Sequence, residues 1–239
     1  MEYDPGQFEG LGVYSNSEIK TALRLGHIVC HPLIEEHING SSIDVTLGEY
    51  YYRPVDERDG PAIFNPFCRS EVEAHFDGPH RALSHGEVAE ALKIKPQENI
   101  PLDHPVILVK PGDAILGHTH EFIGIRPPGT SSMQARSTWG RIGVAACLDA
   151  GWGDPGYINR WTMEIYNMRL RNEIILPVGE RIAQVVFYHT GKVEGEYSDL
   201  SGKYQAGPAA DLTAIVASWR PDQMLPRAYK DQRRKPLPL

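Results

Sequence analysis

Cysteine is scarce in this sequence, and its three residues, Cys30, Cys68 and Cys147, lie far apart. No Cys-x-x-Cys pair occurs, so the spacing indicates neither a disulfide framework nor a cysteine-based zinc site. We therefore expect all three to be core residues of a protein from a reducing compartment.

Long apolar runs are also missing, since none approaches the roughly 20 residues that a membrane-spanning helix needs. The first ten residues, MEYDPGQFEG, lack the basic start and apolar centre of a signal peptide. We expect a cytoplasmic protein without a membrane partner. Its net charge of −7 argues against nucleic acid as a general partner, although a local arginine cluster could hold a phosphorylated small molecule.

What the chain does contain is a series of short apolar segments separated by Gly or Pro. From Val106 to Tyr188 their regular spacing predicts an all-β barrel or sandwich rather than βαβ units. Alternation of Ile43, Val45 and Leu47 with polar residues predicts a half-buried strand. Ser15, followed three residues later by Glu18, predicts a short N-terminal helix that begins with a capping box.

Changes in composition along the chain predict its domain organisation. We expect an arm over residues 1–12, one domain over 13–208, and a C-terminal tail over 209–239. Frequent prolines between about 53 and 105 indicate an insertion that is mainly loop, with a short helix after Ser84. The Pro- and Arg/Lys-rich stretch from Pro221 predicts a tail that is either poorly ordered or draped over a partner.

Glu164 is the first candidate for chemistry, because it lies in the middle of a predicted strand with bulky apolar neighbours. On that strand Thr162, Glu164 and Tyr166 share one face. Desolvation would raise the pKa of a carboxylate there toward the range that suits a general base. The alternative interpretation is a solvent-facing position or a structural ion pair.

A second candidate site is the run Arg136-Ser137-Thr138-Trp139-Gly140-Arg141. Guanidinium groups match phosphate oxygens, hydroxyls add short donors, and Gly lets the backbone approach a ligand, so the run suits a polyphosphate. Asp154, before Pro155-Gly156, could accept a sugar hydroxyl. A solvated loop and a plain turn remain the alternatives for these two segments.

A protein-bound metal is not expected from the histidines. His118 and His120 could face one side of a strand, but no third ligand lies near them in the sequence. His85-Gly86-Glu87 matches half of the zinc deaminase signature, and the required Pro-Cys-x-x-Cys half is absent. We therefore predict chemistry that does not use zinc.

Several polar motifs follow one another in a fixed order along the chain. They are Asn39-Gly40-Ser41-Ser42-Ile43-Asp44-Val45-Thr46-Leu47-Gly48, Leu116-Gly117-His118-Thr119-His120-Glu121, Arg136-Ser137-Thr138-Trp139-Gly140-Arg141-Ile142-Gly143, Ala150-Gly151-x-x-Asp154-Pro155-Gly156-Tyr157, Thr162-Met163-Glu164, Leu176-Pro177-Val178-Gly179-Glu180-Arg181-Ile182-Ala183-Gln184 and Ser201-Gly202-Lys203-Tyr204-Gln205. Together they closely resemble the dCTP deaminase family, which is related to the trimeric dUTPases. The resemblance covers roughly residues 11 to 208 apart from the insertion.

The resemblance implies a β-dominated fold with minor α content, namely a dUTPase-like distorted β-barrel or jelly-roll with a short N-terminal helix. It also implies a homotrimer with sites at subunit interfaces, and a nucleoside triphosphate bound with Mg²⁺. By position, Glu164 resembles the catalytic glutamate that moves a proton from water to the leaving ammonia. Ser137, Arg141 and the backbone at Ala150 resemble the groups that organise that water and the carboxylate.

Further matches imply how the substrate is bound. Arg136 and Thr138 would hold phosphates, Asp154 the deoxyribose hydroxyl, and the backbone around Thr162 the edge of the base. Tyr197, Lys203 and Gln205 would belong to a C-terminal segment that covers the triphosphate.

The leading prediction is the hydrolytic deamination of dCTP to dUTP and ammonia, because dUTPases have an apolar residue at the position that matches Glu164. A bifunctional enzyme that gives dUMP and pyrophosphate is the alternative that the pair Ala150-Gly151 and the short Gly-Lys-Tyr-Gln segment favour. A dUTP diphosphatase and a non-catalytic nucleotide-binding relative also remain open.

Overall fold

The computed structural model describes residues 12–55, 63–148, 150–195, 197, 202–205 and 211–231. Of the predicted N-terminal arm, residues 1–11 lie outside these ranges. The described residues form five α-helices: α1 (Asn16–Arg24), α2 (Arg69–His75), α3 (His85–Leu92), α4 (Ser137–Arg141) and α5 (Leu212–Ser218). The N-terminal helix is confirmed, and the Ser15 hydroxyl and the Glu18 carboxylate form the predicted capping box.

Most of the fold is β-structure. The described strands are β1 (Ile28–His31), β2 (Ser42–Thr46), β3 (Tyr50–Pro54), β4 (Phe76–Arg81), β5 (Leu83–Ser84), β6 (Pro105–Val109), β7 (Ala114–Ile125), β8 (Thr130–Ala135), β9 (Val144–Ala146), β10 (Trp152–Gly153), β11 (Ile158–Asn167), β12 (Ile174–Pro177) and β13 (Arg181–Tyr188). The predicted β-dominated class is therefore confirmed.

The strands form three antiparallel sheets that share one hydrophobic core. The largest has the order β4-β3-β7-β11-β9, with β1 paired to β7. The second has the order β10-β8-β13-β2, and the third has the order β12-β6-β5. Within the described ranges these sheets stay open, so the predicted distorted barrel is formed by packed sheets rather than by one closed sheet.

The pairing of β7 with β11 sets the position of the predicted catalytic strand. Glu164 lies opposite Leu116, and the neighbouring Ile165 lies opposite Ile115. Met163 and Ile165 are fully buried, whereas Thr162 and Glu164 are only partly buried on the other face. The alternation follows from the two-residue period of a strand and confirms the predicted face.

Strand β2 differs from its prediction, because it is buried on both faces rather than on one. Its polar residues have partners that compensate for the loss of water. The Thr46 hydroxyl donates to Glu121 Oε1 at 2.8 Å, and the Thr46 amide donates to Glu121 Oε2 at 2.9 Å. Asp44 forms ion pairs that are described below. Alternation of apolar and polar residues predicts exposure only when the polar residues have no such partners.

The proline-rich region contributes regular structure to the sheets, beyond the single short helix that was predicted. Strand β4 pairs with β3, and β5 pairs with β6. The expected helix after Ser84 is α3, whose capping box joins Ser84 and Glu87. Val72 of α2 and Val88 of α3 are buried. The segment therefore extends the sheets instead of forming only a loop.

The prediction of a poorly ordered tail from Pro221 is wrong for the part that the structure describes. After α5, residues Pro221–Met224 and Ala228–Lys230 form two turns of 3-10 helix. Ile215, Trp219 and Met224 are buried, and this apolar surface accounts for the packing of the segment on the large sheet. Within the described ranges, no helix has the length and apolar character that crossing a bilayer requires.

Candidate active site

Glu164 stands at the centre of β11, on the face that the core does not cover. The strand is fixed there by β7 on one side and by β9 on the other, and the Cys147 amide donates to the Glu164 carbonyl at 3.1 Å. Partial burial raises the pKa of the Glu164 carboxyl above its ordinary value. A carboxylate with a raised pKa holds a proton more readily, which suits a group that takes a proton and gives it back.

Arg136 precedes α4 and is held by a buried carboxylate. Its Nε lies 3.4 Å from Asp44 Oδ2, and Arg181 Nη1 lies 3.2 Å from the same oxygen. Asp44 has 1% of its side chain exposed, whereas Arg136 and Arg181 keep 27% and 40% exposed. One buried negative charge therefore holds two guanidinium groups side by side near the surface, where an anion could reach them.

Helix α4 carries Ser137, Thr138 and Arg141, and all three are exposed. The helix is anchored by Trp139, whose indole Nε1 donates to the Arg181 carbonyl at 2.8 Å. Helix α4 packs on β9, and β9 pairs with β11. Strand β9 therefore lies between the helix and the strand that carries Glu164.

A single chain does not bring all of the predicted catalytic residues into contact with one another. Among the described residues, no hydrogen bond or ion pair joins Glu164 to Ser137 or Arg141. Ala150 is exposed in the loop between β9 and β10, next to Gly151, whose carbonyl accepts from the Met133 amide at 2.7 Å. The donors on α4 and the acceptor on β11 thus remain available for other partners.

A cavity of about 620 Å³ lies next to Asp154 and the segment 202–205, and the described residues that line it do not include Glu164, Ser137 or Arg141. Three of the predicted substrate-binding residues, Asp154, Tyr197 and Lys203, line it together with Glu194. The Trp152 indole donates to Asp154 Oδ1 at 3.2 Å, which orients that carboxylate while leaving it exposed. The cavity therefore presents the carboxylates of Asp154 and Glu194 beside Lys203, whose ammonium group is paired with Asp231.

The segment 202–205 is held against the edge of the cavity by several hydrogen bonds. The Lys203 and Tyr204 amides donate to the Tyr197 hydroxyl at 3.1 and 3.3 Å. Gln205 Oε1 accepts from the Ile158 amide at 2.7 Å. Gln205 was predicted to bind substrate, and here its side-chain oxygen is already occupied by the backbone of β11.

His118, one of the two histidines weighed as a metal pair, is a structural residue. Its Nδ1 donates to the Thr119 carbonyl at 2.8 Å, and its Nε2 accepts from the Tyr50 amide at 3.2 Å. Burial lowers the pKa of His118 to about 3, so the ring stays neutral. His120, by contrast, is exposed. The part of the chain that the structure describes contains no cluster of three or more His, Cys, Asp or Glu side chains able to hold a metal ion.

Sequence reasoning missed four residues that shape these groups: Asp44 and Arg181 beside Arg136, and Arg227 and Asp231 beside Lys203. Asp44 carries a recognisable signal, since a carboxylate inside an apolar strand needs a partner if it is buried. Arg227 and Asp231 lie in the Pro- and Arg/Lys-rich stretch, whose composition gives no such signal.

The family described as dCTP deaminase-like matches residues 67–190. A protein of Methanopyrus kandleri named "dCTP deaminase, dUMP-forming" is 31% identical over 198 residues, covering 80% of this chain and 90% of the relative. A protein of the same name from Dictyoglomus thermophilum is 28% identical over 209 residues, covering 85% of this chain and 95% of the relative.

The 2′-deoxycytidine 5′-triphosphate deaminase from Agrobacterium tumefaciens aligns with a TM-score of 0.46 and 17% identity. The alignment covers 79% of this chain and 51% of that chain, so it spans about half of the solved structure's length.

Proposed function

The chain belongs to the dCTP deaminase-like family, and on that premise we propose that it converts dCTP into dUMP, ammonia and pyrophosphate. The mostly β structure of the described residues agrees with the dUTPase-like β fold that the resemblance implies. The relatives are named as dUMP-forming, which favours the bifunctional alternative over the leading prediction of dUTP as the final product. Glu164 is the observation that carries the proposal, because a half-buried carboxylate with a raised pKa faces away from the core.

The first proposed step is deamination at C4 of the cytosine ring. Water adds to C4 while the Glu164 carboxylate accepts one of its protons and the C4=N3 double bond opens toward N3, which forms a tetrahedral intermediate. The C4–N4 bond then breaks as C4=N3 re-forms, Glu164 returns the proton to the departing nitrogen, and the proton of the new 4-hydroxyl moves to N3, so that ammonia and dUTP result. Positioned acid–base catalysis of this kind contributes about 10²–10⁴-fold, and oriented donors around the developing charge supply further stabilisation.

The second proposed step is hydrolysis at the α-phosphorus. A second water attacks this atom, the bond to the bridging oxygen of the β-phosphate breaks, and dUMP and pyrophosphate leave. Arg136 and Thr138 would hold the phosphates, with Asp44 keeping the Arg136 guanidinium in place. Asp154 would accept the deoxyribose hydroxyl, and the backbone near Thr162 would contact the base.

We propose that Mg²⁺ enters with the triphosphate, bound mainly to phosphate oxygens and water, as this hard cation prefers. The donor set of the cavity fits such a complex, because Asp154 and Glu194 supply oxygens and Lys203 supplies a positive charge. When bound, the ion would neutralise phosphate charge and favour the departure of pyrophosphate.

A second copy of the chain would complete the site. Ser137 and Arg141 are exposed on α4, and Glu164 has no bond to either residue among those described. Apolar side chains are exposed on neighbouring segments, as expected of a surface that another subunit covers: Ile142, Leu148, Trp152, Met168 and Leu170. We propose the homotrimer that the family resemblance implies, with a native mass three times the 26.7 kDa of one chain.

Product analysis of the purified protein tests these proposals. With Mg²⁺ and dCTP, we expect ammonia and pyrophosphate in equal amounts, and dUMP rather than dUTP. Glu164→Gln should abolish ammonia release, because the amide cannot accept the proton from water. Glu173→Gln is the matched control, since Glu173 is exposed after β11 and should leave turnover unchanged.

Each alternative has its own pattern of products. Ammonia and dUTP without pyrophosphate would replace the bifunctional proposal with simple deamination. Pyrophosphate from dUTP without any ammonia from dCTP would indicate a diphosphatase. Ammonia release that persists in Glu164→Gln would contradict the role proposed for Glu164.

A further inference from the structure

The C-terminal residues 211–231 pack across the segment that carries Lys203, and we refer to them as the C-terminal clasp. They lie outside residues 67–190, to which the family match extends. The clasp consists of α5 and the two 3-10 turns, and it contacts both the large sheet and the segment 202–205. It therefore connects the segment 202–205 to the large sheet.

On one side the clasp is fixed to the large sheet. The Trp219 ring is buried, with its centroid 4.7 Å from that of His118, and the Arg160 guanidinium lies 4.7 Å from the Trp219 ring centroid. Asn159 Nδ2 on β11 donates to Gln223 Oε1 at 3.4 Å. Tilted ring contacts and cation–π contacts of this kind give the clasp a defined position on β7 and β11.

On its other side the clasp holds the segment through Arg227. Arg227 Nη1 donates to the Lys203 carbonyl at 2.9 Å, and the Arg227 amide donates to the Tyr204 hydroxyl at 3.1 Å. The Arg227 side chain is only 14% exposed, so these contacts are shielded from water. Asp231 Oδ1 lies 2.5 Å from Lys203 Nζ. The clasp thus fixes both the backbone and the ammonium group of Lys203.

We propose that Arg227 is a positioning residue that holds Lys203 and Tyr204 in place before the nucleotide arrives. This inference rests on the proposed function, in which Lys203 contacts the triphosphate. A segment that is already ordered loses less conformational entropy when it binds a ligand, so its ordering contributes to affinity. Arg227 does not line the cavity, and its effect would therefore reach the substrate only through residues 203 and 204.

The test compares Arg227→Ala with Arg220→Ala. Arg220 also lies in the clasp, but among the described residues its side-chain hydrogen bonds are to the carbonyls of Ala217 and Trp219 within the clasp. Both variants lose one positive charge from the same segment. For Arg227→Ala we expect the KM for dCTP to rise about tenfold, the loss expected for one shielded charged hydrogen bond, with kcat within about twofold of wild type. Arg220→Ala should keep the wild-type KM.

A second measurement needs no turnover. In the nucleotide-free protein, hydrogen exchange of the Lys203 and Tyr204 amides, which donate to the Tyr197 hydroxyl, should become faster in Arg227→Ala and not in Arg220→Ala. An unchanged KM or unchanged exchange in Arg227→Ala would overturn the inference. Absence of turnover in wild type would instead reject the proposed function, and exchange alone would then decide whether Arg227 holds the segment.

Discussion

Removal of the Asp44 charge is the perturbation whose result follows most directly from the structure. Asp44→Asn keeps the size of the side chain and leaves Arg136 and Arg181 without their shared counter-ion. The amide nitrogen of Asn would also place a donor close to guanidinium donors. We expect the folded state to lose stability and Arg136 to lose its fixed orientation, so that the KM for dCTP rises as well.

The magnitude follows from burial and distance. Asp44 has 1% of its side chain exposed and contacts Arg181 at 3.2 Å and Arg136 at 3.4 Å. Removing one partner of a fully buried ion pair costs roughly 3–5 kcal/mol. Because the arginines keep 27% and 40% of their side chains exposed, water compensates in part, and we expect about 3 kcal/mol. For a chain of this size the melting temperature would fall by about 6–12 °C.

Thermal unfolding followed by circular dichroism at one protein concentration measures this loss. Asp113→Asn is the matched control, because Asp113 is exposed in the turn before β7 and should melt like wild type. If Asp44→Asn melted together with wild type and with Asp113→Asn, the two ion pairs would contribute nothing to stability. The interpretation of Asp44 as the holder of Arg136 would then be refuted.

Three further predictions concern the pH dependence and the segment beside the cavity. As the pH is lowered, kcat/KM for dCTP should fall with an apparent pKa above the ordinary 4.5 of a Glu carboxyl. The reason is that burial raises the pKa of Glu164 and only its carboxylate accepts a proton. An apparent pKa of 4.5 or below would contradict this role. Because the pKa of His118 is about 3 in the fold and 6.5 ordinarily, its contribution to stability is complete above pH 6.5 and is lost progressively as the pH falls toward 3. Between pH 7 and pH 5, the free energy of unfolding in urea should therefore fall less in His118→Asn than in wild type. Equal falls in the two proteins would show that His118 is not the group with the lowered pKa. Tyr197→Phe removes the acceptor of the Lys203 and Tyr204 amides, and we expect the KM for dCTP to rise about 3–10-fold, whereas an unchanged KM would show that these bonds do not affect binding.

The candidate catalytic strand was predictable because its signal is local. Alternation over Thr162, Glu164 and Tyr166 places three side chains on one face whatever the rest of the chain does, and the structure has that face. The partial burial that raises the pKa of Glu164 follows from the same pattern, since bulky neighbours flank it on the strand. Short-range periodicity was therefore sufficient to predict the face of β11 on which Glu164 lies.

The setting of Asp44 was not predictable in the same way. Its partner Arg181 lies 137 positions further along the chain, and only the pairing of β2 with β13 brings the two together. Alternation therefore predicted an exposed side chain where a buried one is compensated by distant charges. A carboxylate in an apolar strand indicates that a partner is needed, but it does not identify the partner.

Helix α4 was missed because its own sequence is a poor helix former. Thr138 and Gly140 both have low helix propensity, and the helix has only five residues. It is held by tertiary contacts, chiefly the hydrogen bond from the Trp139 indole to the Arg181 carbonyl. The C-terminal clasp was missed for a similar reason, since Trp219 becomes informative only when the surface of the large sheet is known.

The assembly that we propose follows from where unused groups lie on one chain. Arg141 and Ser137 are donors exposed on α4, whereas Glu164 is an acceptor on the open face of β11, and no bond joins the two sets among the described residues. If one copy gives its α4 to the β11 of the next, the two contacting surfaces differ, so the contact is head-to-tail. Such contacts satisfy every copy only when they close into a ring, because an open row leaves one donor surface and one acceptor surface uncovered at its ends. A cyclic trimer meets this condition, and each of its three sites would take Glu164 from one subunit and Arg141 from its neighbour.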